Sequence, residues 1–290
     1  MTVRVTPGGP GIGGAMDRTT RLLRGGVIVA VVAALLLVVG GASPPSAAAL
    51  AVRLPPPQCA TKPTVVLVHG AWAGTSSWTP VLERLRHEGY QVRAFANPLR
   101  GLTSDAAAAG AFIASLRGPV VAVGHSYGGS VITNATDGNA NVKALVYVDA
   151  AAPAVGETTG QLSGEGSALS GDPADLYDTV GTDLYLHRTL FQHSFAQDLP
   201  LEESATLWAG QRPAAQAAFT TKSARAAWRT KPSWYVIGDA DKIITPQSQQ
   251  MMAKRAGSHV TTVPGGSHLT LLSHPGPVTD TILTAARTAC

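Results

Sequence analysis

No apolar run in this sequence is as long as a membrane span. The stretch 27–39 is uncharged over 13 residues, where a helix crossing a bilayer needs about 20. No twin arginine precedes it, which disfavours the twin-arginine export route. Net positive charge is scarce after the first fifty positions. The chain carries a net charge of +4, and Arg4, Arg18, Arg21 and Arg24 against Asp17 put +3 of it before residue 52. The remainder is nearly neutral and has no basic stripe, which argues against a nucleic-acid partner. The eight histidines show no H-E-x-x-H or comparable ligand spacing, so no metal site is expected. There is no internal repeat. Cysteine is almost absent: Cys59 and Cys290 are the whole complement.

What is present begins with an export layout. Arg18, Arg21 and Arg24 precede the apolar stretch, Pro44 and Pro45 break it, and residues 46–51 supply small side chains for cleavage. That is the arrangement of a secretory signal peptide over residues 1–51, with Met16 as an alternative start. The expectation is a secreted protein with no stable membrane association once the signal is removed; an uncleaved anchor is the weaker alternative. In that setting the even pair Cys59 and Cys290 reads as a disulfide tying the N-terminal extension to the last helix. A Pro-rich lead-in covers 52–63. About 240 residues then remain, enough for one α/β domain with a full core.

Along that domain, apolar β-branched runs alternate with amphipathic ones. Strands are expected at 64–68, 91–96, 120–123, 144–148, 234–237 and 260–263, several of them apolar throughout, as strands buried on both faces are. Helices are expected at 77–87, 103–116 (capped by Thr103 or Ser104), 129–135, 246–256 and 278–289. Six strands alternating with helices predict a doubly wound, mostly parallel sheet. Residues 151–229 interrupt the alternation. A structureless loop of that length is improbable, so a small helical cap inserted over the sheet is predicted there, with helical patterns near 174–190 and 201–208.

The pentapeptide Gly124-His125-Ser126-Tyr127-Gly128 follows the third expected strand and precedes a helix. G-x-S-x-G at such a junction is a nucleophile elbow. Glycine two residues either side of the serine removes a Cβ clash and permits strained dihedrals. The helix N-terminus behind the serine offers free N–H groups to a developing oxyanion. A serine hydroxyl needs a base, and the base a carboxylate to orient it. Downstream, Gly238-Asp239-Ala240-Asp241 and Gly265-Gly266-Ser267-His268 each follow an expected strand, where sites in open α/β sheets are built.

The chain resembles the α/β-hydrolase superfamily, and within it the small esterase and hydroxynitrile-lyase branch. The resemblance runs from residue 64 to 286 and is weakest in the cap. It rests on Leu67-Val68-His69-Gly70-Ala71-Trp72, the elbow, Val146-Tyr147-Val148-Asp149-Ala150, Gly238-x-x-Asp241 and Gly265-Gly266-Ser267-His268, in that order. It implies a triad of Ser126, Asp241 and His268, with Asp149 and Asp239 as lesser candidates for the acid. His125, His259 and His274 are weaker candidates for the base. The oxyanion donors it implies are the N–H groups of Tyr127 and Ala71, with Trp72 as the fallback. Trp72 and Trp78 are candidates for the wall of an acyl pocket, or plain packing. The implied activity is carboxylic ester hydrolysis of a small-molecule ester, without cofactor or metal. A cyanohydrin lyase is the alternative on the same scaffold, but its lysine after the histidine and its threonine after the first strand's histidine are replaced by Leu269 and Gly70. A perhydrolase or haloperoxidase-like activity would use the same triad, and a non-catalytic binding domain is disfavoured by the intact set. The sequence does not fix the acyl preference or the oligomeric state.

One disulfide, Cys59 to Cys290, is expected in material exported by the natural host. Non-reducing peptide mapping reads it directly, and two freely alkylated thiols would refute both the bridge and much of the case for export.

Overall fold

The computed structural model describes residues 61–289. The expected signal segment, most of the Pro-rich lead-in and both cysteines lie outside the described residues. Within them the chain runs β1 (Thr64–Val68), α1 (Thr79–His87), β2 (Val92–Phe95), α2 (Leu102–Ala114), β3 (Val120–His125), α3 (Tyr127–Ala135) and β4 (Val142–Val148). An insertion follows, holding β5 (Tyr177–Val180), β6 (Asp183–Leu186), α4 (Leu201–Ala209) and β7 (Ala214–Ala215). The main alternation resumes with β8 (Ser233–Gly238), α5 (Pro246–Ala256), β9 (His259–Val263) and α6 (Pro275–Thr288). Among the described residues no helix is long and apolar enough to cross a membrane.

Six strands form one sheet in the order β2-β1-β3-β4-β8-β9, all pairs parallel. This is the doubly wound sheet that the alternation predicts. Of the central strands, β1, β3 and β8 are buried along their whole length and β4 at every position but Lys143, whereas the two edges, β2 and β9, are not. α1 and α6 pack together, as do α2 and α3. The alanine-rich sequence of α2 has a steric reason: a Cβ on Gly110 would lie 3.3 Å from the Ala135 carbonyl of α3, so only small side chains fit between the two helices. The cap of α2 differs from expectation. Neither Thr103 nor Ser104 caps it; the Asp105 carboxylate, in the first turn, reaches back to accept from the N–H groups of Arg100 and Gly101, satisfying donors at the helix start.

The insertion also departs from a purely helical cap. The pattern near 174–190 forms a helical turn at each end, Pro173–Leu176 and Arg188–Leu190, the latter running on into Phe191–Phe195, with the antiparallel hairpin β5–β6 between them, to which β7 adds a third strand. Tyr, Thr, Val and Leu alternate there on either side of Gly181-Thr182, and Gly181 has φ +61°. That is the signature of a two-residue hairpin turn, and it overrides the helical reading.

The turn from β3 into α3 determines how the sheet meets the active face. A Cβ on Gly128 would stand 2.3 Å from the Val68 carbonyl at the end of β1, and one on Gly124 would stand 2.5 Å from the Gly128 carbonyl. Both contacts are to backbone, which cannot rotate away. Gly128→Ala is therefore expected to cost about 3 kcal/mol or to prevent folding. Gly276→Ala, in the first turn of α6 with nothing within 4 Å of its Cβ position, is expected to stabilise by about 0.5 kcal/mol. Urea unfolding of the two variants separates a steric constraint from an incidental glycine.

Candidate active site

Four loops at the carboxyl ends of β1, β3, β8 and β9 converge on one point. Ser126 sits on the turn with φ 54° and ψ −126°, a conformation that costs a non-glycine residue roughly 1–3 kcal/mol. Three backbone hydrogen bonds hold it there. Its N–H donates to the Val148 carbonyl, and its carbonyl accepts from Gly129 and Ala151. The strain aims the hydroxyl at His268, whose Nε2 lies 2.8 Å from Ser126 Oγ. On the other side of the ring, His268 Nδ1 lies 2.8 Å from Asp241 Oδ2. A carboxylate on Nδ1 keeps the proton there, leaving the Nε2 lone pair toward the serine. All three residues are buried, Ser126 being 5% exposed.

Asp241 is held from every direction. Besides His268 it accepts from the N–H groups of Ile243 and Ile244, at 2.8 and 3.1 Å, and from the Gln249 amide at 2.7 Å. Burial pushes its carboxyl above the usual range, and those donors pull the other way by favouring the ionised form. The two other candidate acids are occupied elsewhere. Asp239 is exposed and accepts from the Gly265 N–H, pinning the turn after β9. Asp149 is buried and accepts from the Gly238 N–H at 2.8 Å and from the N–H and hydroxyl of Thr270. It ties β4 to β8 and to the turn that carries His268. Burial and the neighbouring Asp241 raise its pKa well above the usual carboxylate value.

The remaining histidines fall into place in the same way. His125 is buried beside His268, and its Nε2 donates to the His268 carbonyl. His259 is exposed on β9 against Trp234. His274 stands at the N-terminus of α6 with its ring 2.9 Å from the Ser273 hydroxyl. Burial lowers His268 from 6.5 to about 3, His69 to about 4, and His125 well below 6.5.

The loop after β1 approaches the serine closely enough that a Cβ on Gly70 would lie 2.5 Å from Ser126 Cβ and 3.1 Å from its hydroxyl. Ala71 is buried and its N–H makes no hydrogen bond among the described residues. The N–H of Tyr127, first residue of α3, has no carbonyl of its own helix to reach. These are the two expected oxyanion donors. The fallback, Trp72, is taken out of consideration as a donor because its N–H already donates to the Arg212 carbonyl at 3.1 Å. Trp72 does line a cavity of about 360 Å3, with Phe195 and Leu269. Trp78 does not line it and is core.

Several contributors carried no motif. Gln249 on α5 holds the acid. Tyr127 Oη donates to Asp105 Oδ2 at 2.8 Å, fixing the residue after the serine against α2. Phe195, from the insertion, packs its ring 5.0 Å from that of His268. His69 accepts at Nε2 from the Asn97 N–H and from Arg212 Nη1, while Nδ1 donates to the Gly70 carbonyl. Only the His-Gly pair of that network was visible as a pattern. Among the described residues no cluster of three or more histidine, cysteine, aspartate or glutamate side chains could hold a metal.

Comparison with known proteins agrees with this fold. The model of the alpha/beta hydrolase family matches residues 65–281. No curated protein matches the chain. Among solved structures, a pyrethroid hydrolase from Sphingobium faniae JZ-2 is similar over 78% of this chain and 98% of its own, with 22% identity and a TM-score of 0.64. An extracellular alpha/beta-hydrolase from a Paenibacillus species, described as sharing structural and functional homology with tobacco salicylic acid binding protein 2, is similar over 78% and 99%, with 22% identity and a TM-score of 0.68. Polyneuridine aldehyde esterase is similar over 77% and 99%, with 19% identity and a TM-score of 0.66. At these identities the likeness is one of fold.

Burial disfavours a charged imidazole, so protonation of the three buried histidines is deferred to lower pH. Histidine-labelled NMR is expected to show His69, His125 and His268 neutral from about pH 8 down to about pH 5.5, with the His268 proton on Nδ1. A His268 midpoint above 6.5 would mean that the charge of Asp241 outweighs burial.

Proposed function

Because the chain belongs to the alpha/beta hydrolase family, we propose that it is a carboxylic ester hydrolase acting through Ser126, His268 and Asp241 and an acyl-enzyme intermediate. Ser126 Oγ attacks the ester carbonyl carbon as its proton passes to His268 Nε2. The oxyanion is stabilised by the N–H groups of Ala71 and Tyr127. The tetrahedral intermediate collapses, the bond to the alcohol oxygen breaks, and His268 returns the proton to the leaving alcohol. Water then attacks the acyl carbon with His268 again as base. The acid is released and the serine restored. Asp241 holds the Nδ1 tautomer and stabilises the imidazolium formed in each half.

The unbroken pair of 2.8 Å hydrogen bonds from Ser126 to His268 to Asp241 carries this reading. Leu269, directly after the histidine, is buried and apolar. It offers no cation for a departing cyanide, so hydrolysis is favoured over cyanohydrin cleavage. We extend the proposal to an exported enzyme on the strength of the basic, apolar and small-residue segments before residue 52. The partner is a small-molecule ester.

A panel of para-nitrophenyl esters of increasing chain length tests the proposal. Wild-type protein is expected to turn over at least the short esters. Ser126→Ala is expected to lose roughly three or more decades of rate while remaining folded, together with all labelling by a serine-directed organophosphonate. Asp241→Asn is expected to be crippled on the same scale, and Asp239→Asn to stay near wild type. Labelling at another serine, or a crippling effect of Asp149→Asn with an active Asp241→Asn, would overturn the assignment.

A further inference from the structure

The insertion brings one unpaired cation to the cavity beside the triad. Arg212, between α4 and β7, is half-buried and, among the described residues, is the only charged one lining the cavity of about 360 Å3. Much of the wall is apolar and aromatic, including Trp72, Phe191, Phe195, Leu207 and Leu269. No carboxylate among the described residues pairs with Arg212, whereas Arg100, Arg225 and Arg255 each have an acidic partner. Its one side-chain hydrogen bond is from Nη1 to Nε2 of His69 at 2.9 Å. His69 is neutral, so it fixes the guanidinium without neutralising it. Nη2 and Nε remain as donors with no partner among the described residues. A cation partly withdrawn from water with no counter-ion is unfavourable, and an entering anion would offset that cost.

The cavity is lined by neighbours of the candidate reacting groups rather than by those groups themselves. Leu269 follows His268, Trp72 follows Ala71, and the Phe195 ring lies 5.0 Å from His268. An ester bound with its carbonyl at Ser126 would therefore extend a substituent along these walls toward Arg212. A planar guanidinium anchored on His69, in a cavity whose wall combines aromatic and aliphatic side chains with the hydroxyl residues Thr75, Ser76, Ser77 and Thr206, matches a carboxylate.

We propose that this cavity receives a carboxylate-bearing substituent of the ester, with Arg212 as the specificity-determining residue. The proposal rests on the ester-hydrolase reading. The substrate class is then an ester with a free acidic group, on either its acyl or its alcohol part.

Paired substrates test it. On the acyl side, the mono-para-nitrophenyl ester of glutarate is compared with para-nitrophenyl butyrate. On the alcohol side, para-acetoxybenzoate is compared with its methyl ester. Wild-type kcat/KM is expected to favour the acidic member of at least one pair, and Arg212→Gln to lower that acidic-to-neutral ratio roughly tenfold or more. Arg212→Lys should recover part of it. If Arg212 serves only to brace His69, both members of a pair fall by the same factor and the ratio is unchanged; that result overturns the proposal and leaves the esterase reading intact. If wild-type protein cleaves no ester, the esterase reading fails instead. The cavity is then judged by calorimetric binding of glutarate and para-hydroxybenzoate to Ser126→Ala protein with and without Arg212→Gln. Binding lost with the arginine supports the anion site, and absent or unchanged binding overturns it. Should Arg212→Gln fail to fold, glutarate is compared with neutral glutaramide as a ligand of the Ser126→Ala protein. Preference for the dianion supports the proposal, and equal or no binding refutes it.

Discussion

The site depends on how closely the turn at Ser126 is pressed against the end of β1. Four glycines make that approach possible. Gly124 and Gly128 leave room inside the turn, Gly129 clears the Ala151 carbonyl, and Gly70 clears the serine itself. A methyl group at any of them would meet backbone or the Ser126 side chain at 2.3–2.5 Å. The hydroxyl, the loop with the free Ala71 N–H and the start of α3 meet because these three pieces of backbone have nothing between them. Parallel pairing of β3 with β1 and β4, continuing to Gly124 and His125, holds the strained serine in position. Sheet stability thus supports an unfavourable dihedral at the serine proposed as nucleophile.

Beneath that turn lie three buried carboxylates with different tasks, set by their donors. Asp105 accepts from Arg100, Gly101 and the Tyr127 hydroxyl and fixes the first residue of α3. Asp149 accepts from Gly238 and Thr270 and ties together strand ends. Asp241 alone faces an imidazole. The proximity of Asp149 raises the cost of a second negative charge nearby, and the dense donor set on Asp241 works against that cost and against burial by favouring its ionised form.

The insertion is attached separately to the loops after β1, β8 and β9. The Trp72 indole donates to the Leu184 carbonyl on β6, and Arg212 reaches His69. Gln197 donates to the Ala240 carbonyl in the acid loop, and Asp198 accepts from the Ser267 N–H beside the histidine. With Phe195 over His268, these contacts exclude water from the ring and lower its basicity. The same segment therefore orders these loops, packs against the histidine and supplies part of the cavity wall and, among the described residues, its single charge.

The sheet, its order of elements and the residues on its carboxyl edge were legible because each is a local pattern. Buried parallel strands read as apolar runs, the elbow as two glycines around a serine, and the acid and base loops as glycine-led turns after strands. Preference for Asp241 over Asp149 and Asp239 came from resemblance; spacing alone left it open, since all three follow strands. Tertiary structure decided what each of them touches. It also decided that the 177–186 segment is a hairpin, a signal present in Gly181-Thr182 but weaker than the helical pattern around it. Gln249, Phe195 and Arg212 carried no signal at all. Their partners lie 8, 73 and 143 residues away in sequence. Such pairings arise only once the sheet has twisted and the insertion has folded back over it, so the chain's local chemistry determined the scaffold and its nucleophile, while the surroundings of the nucleophile were decided by packing.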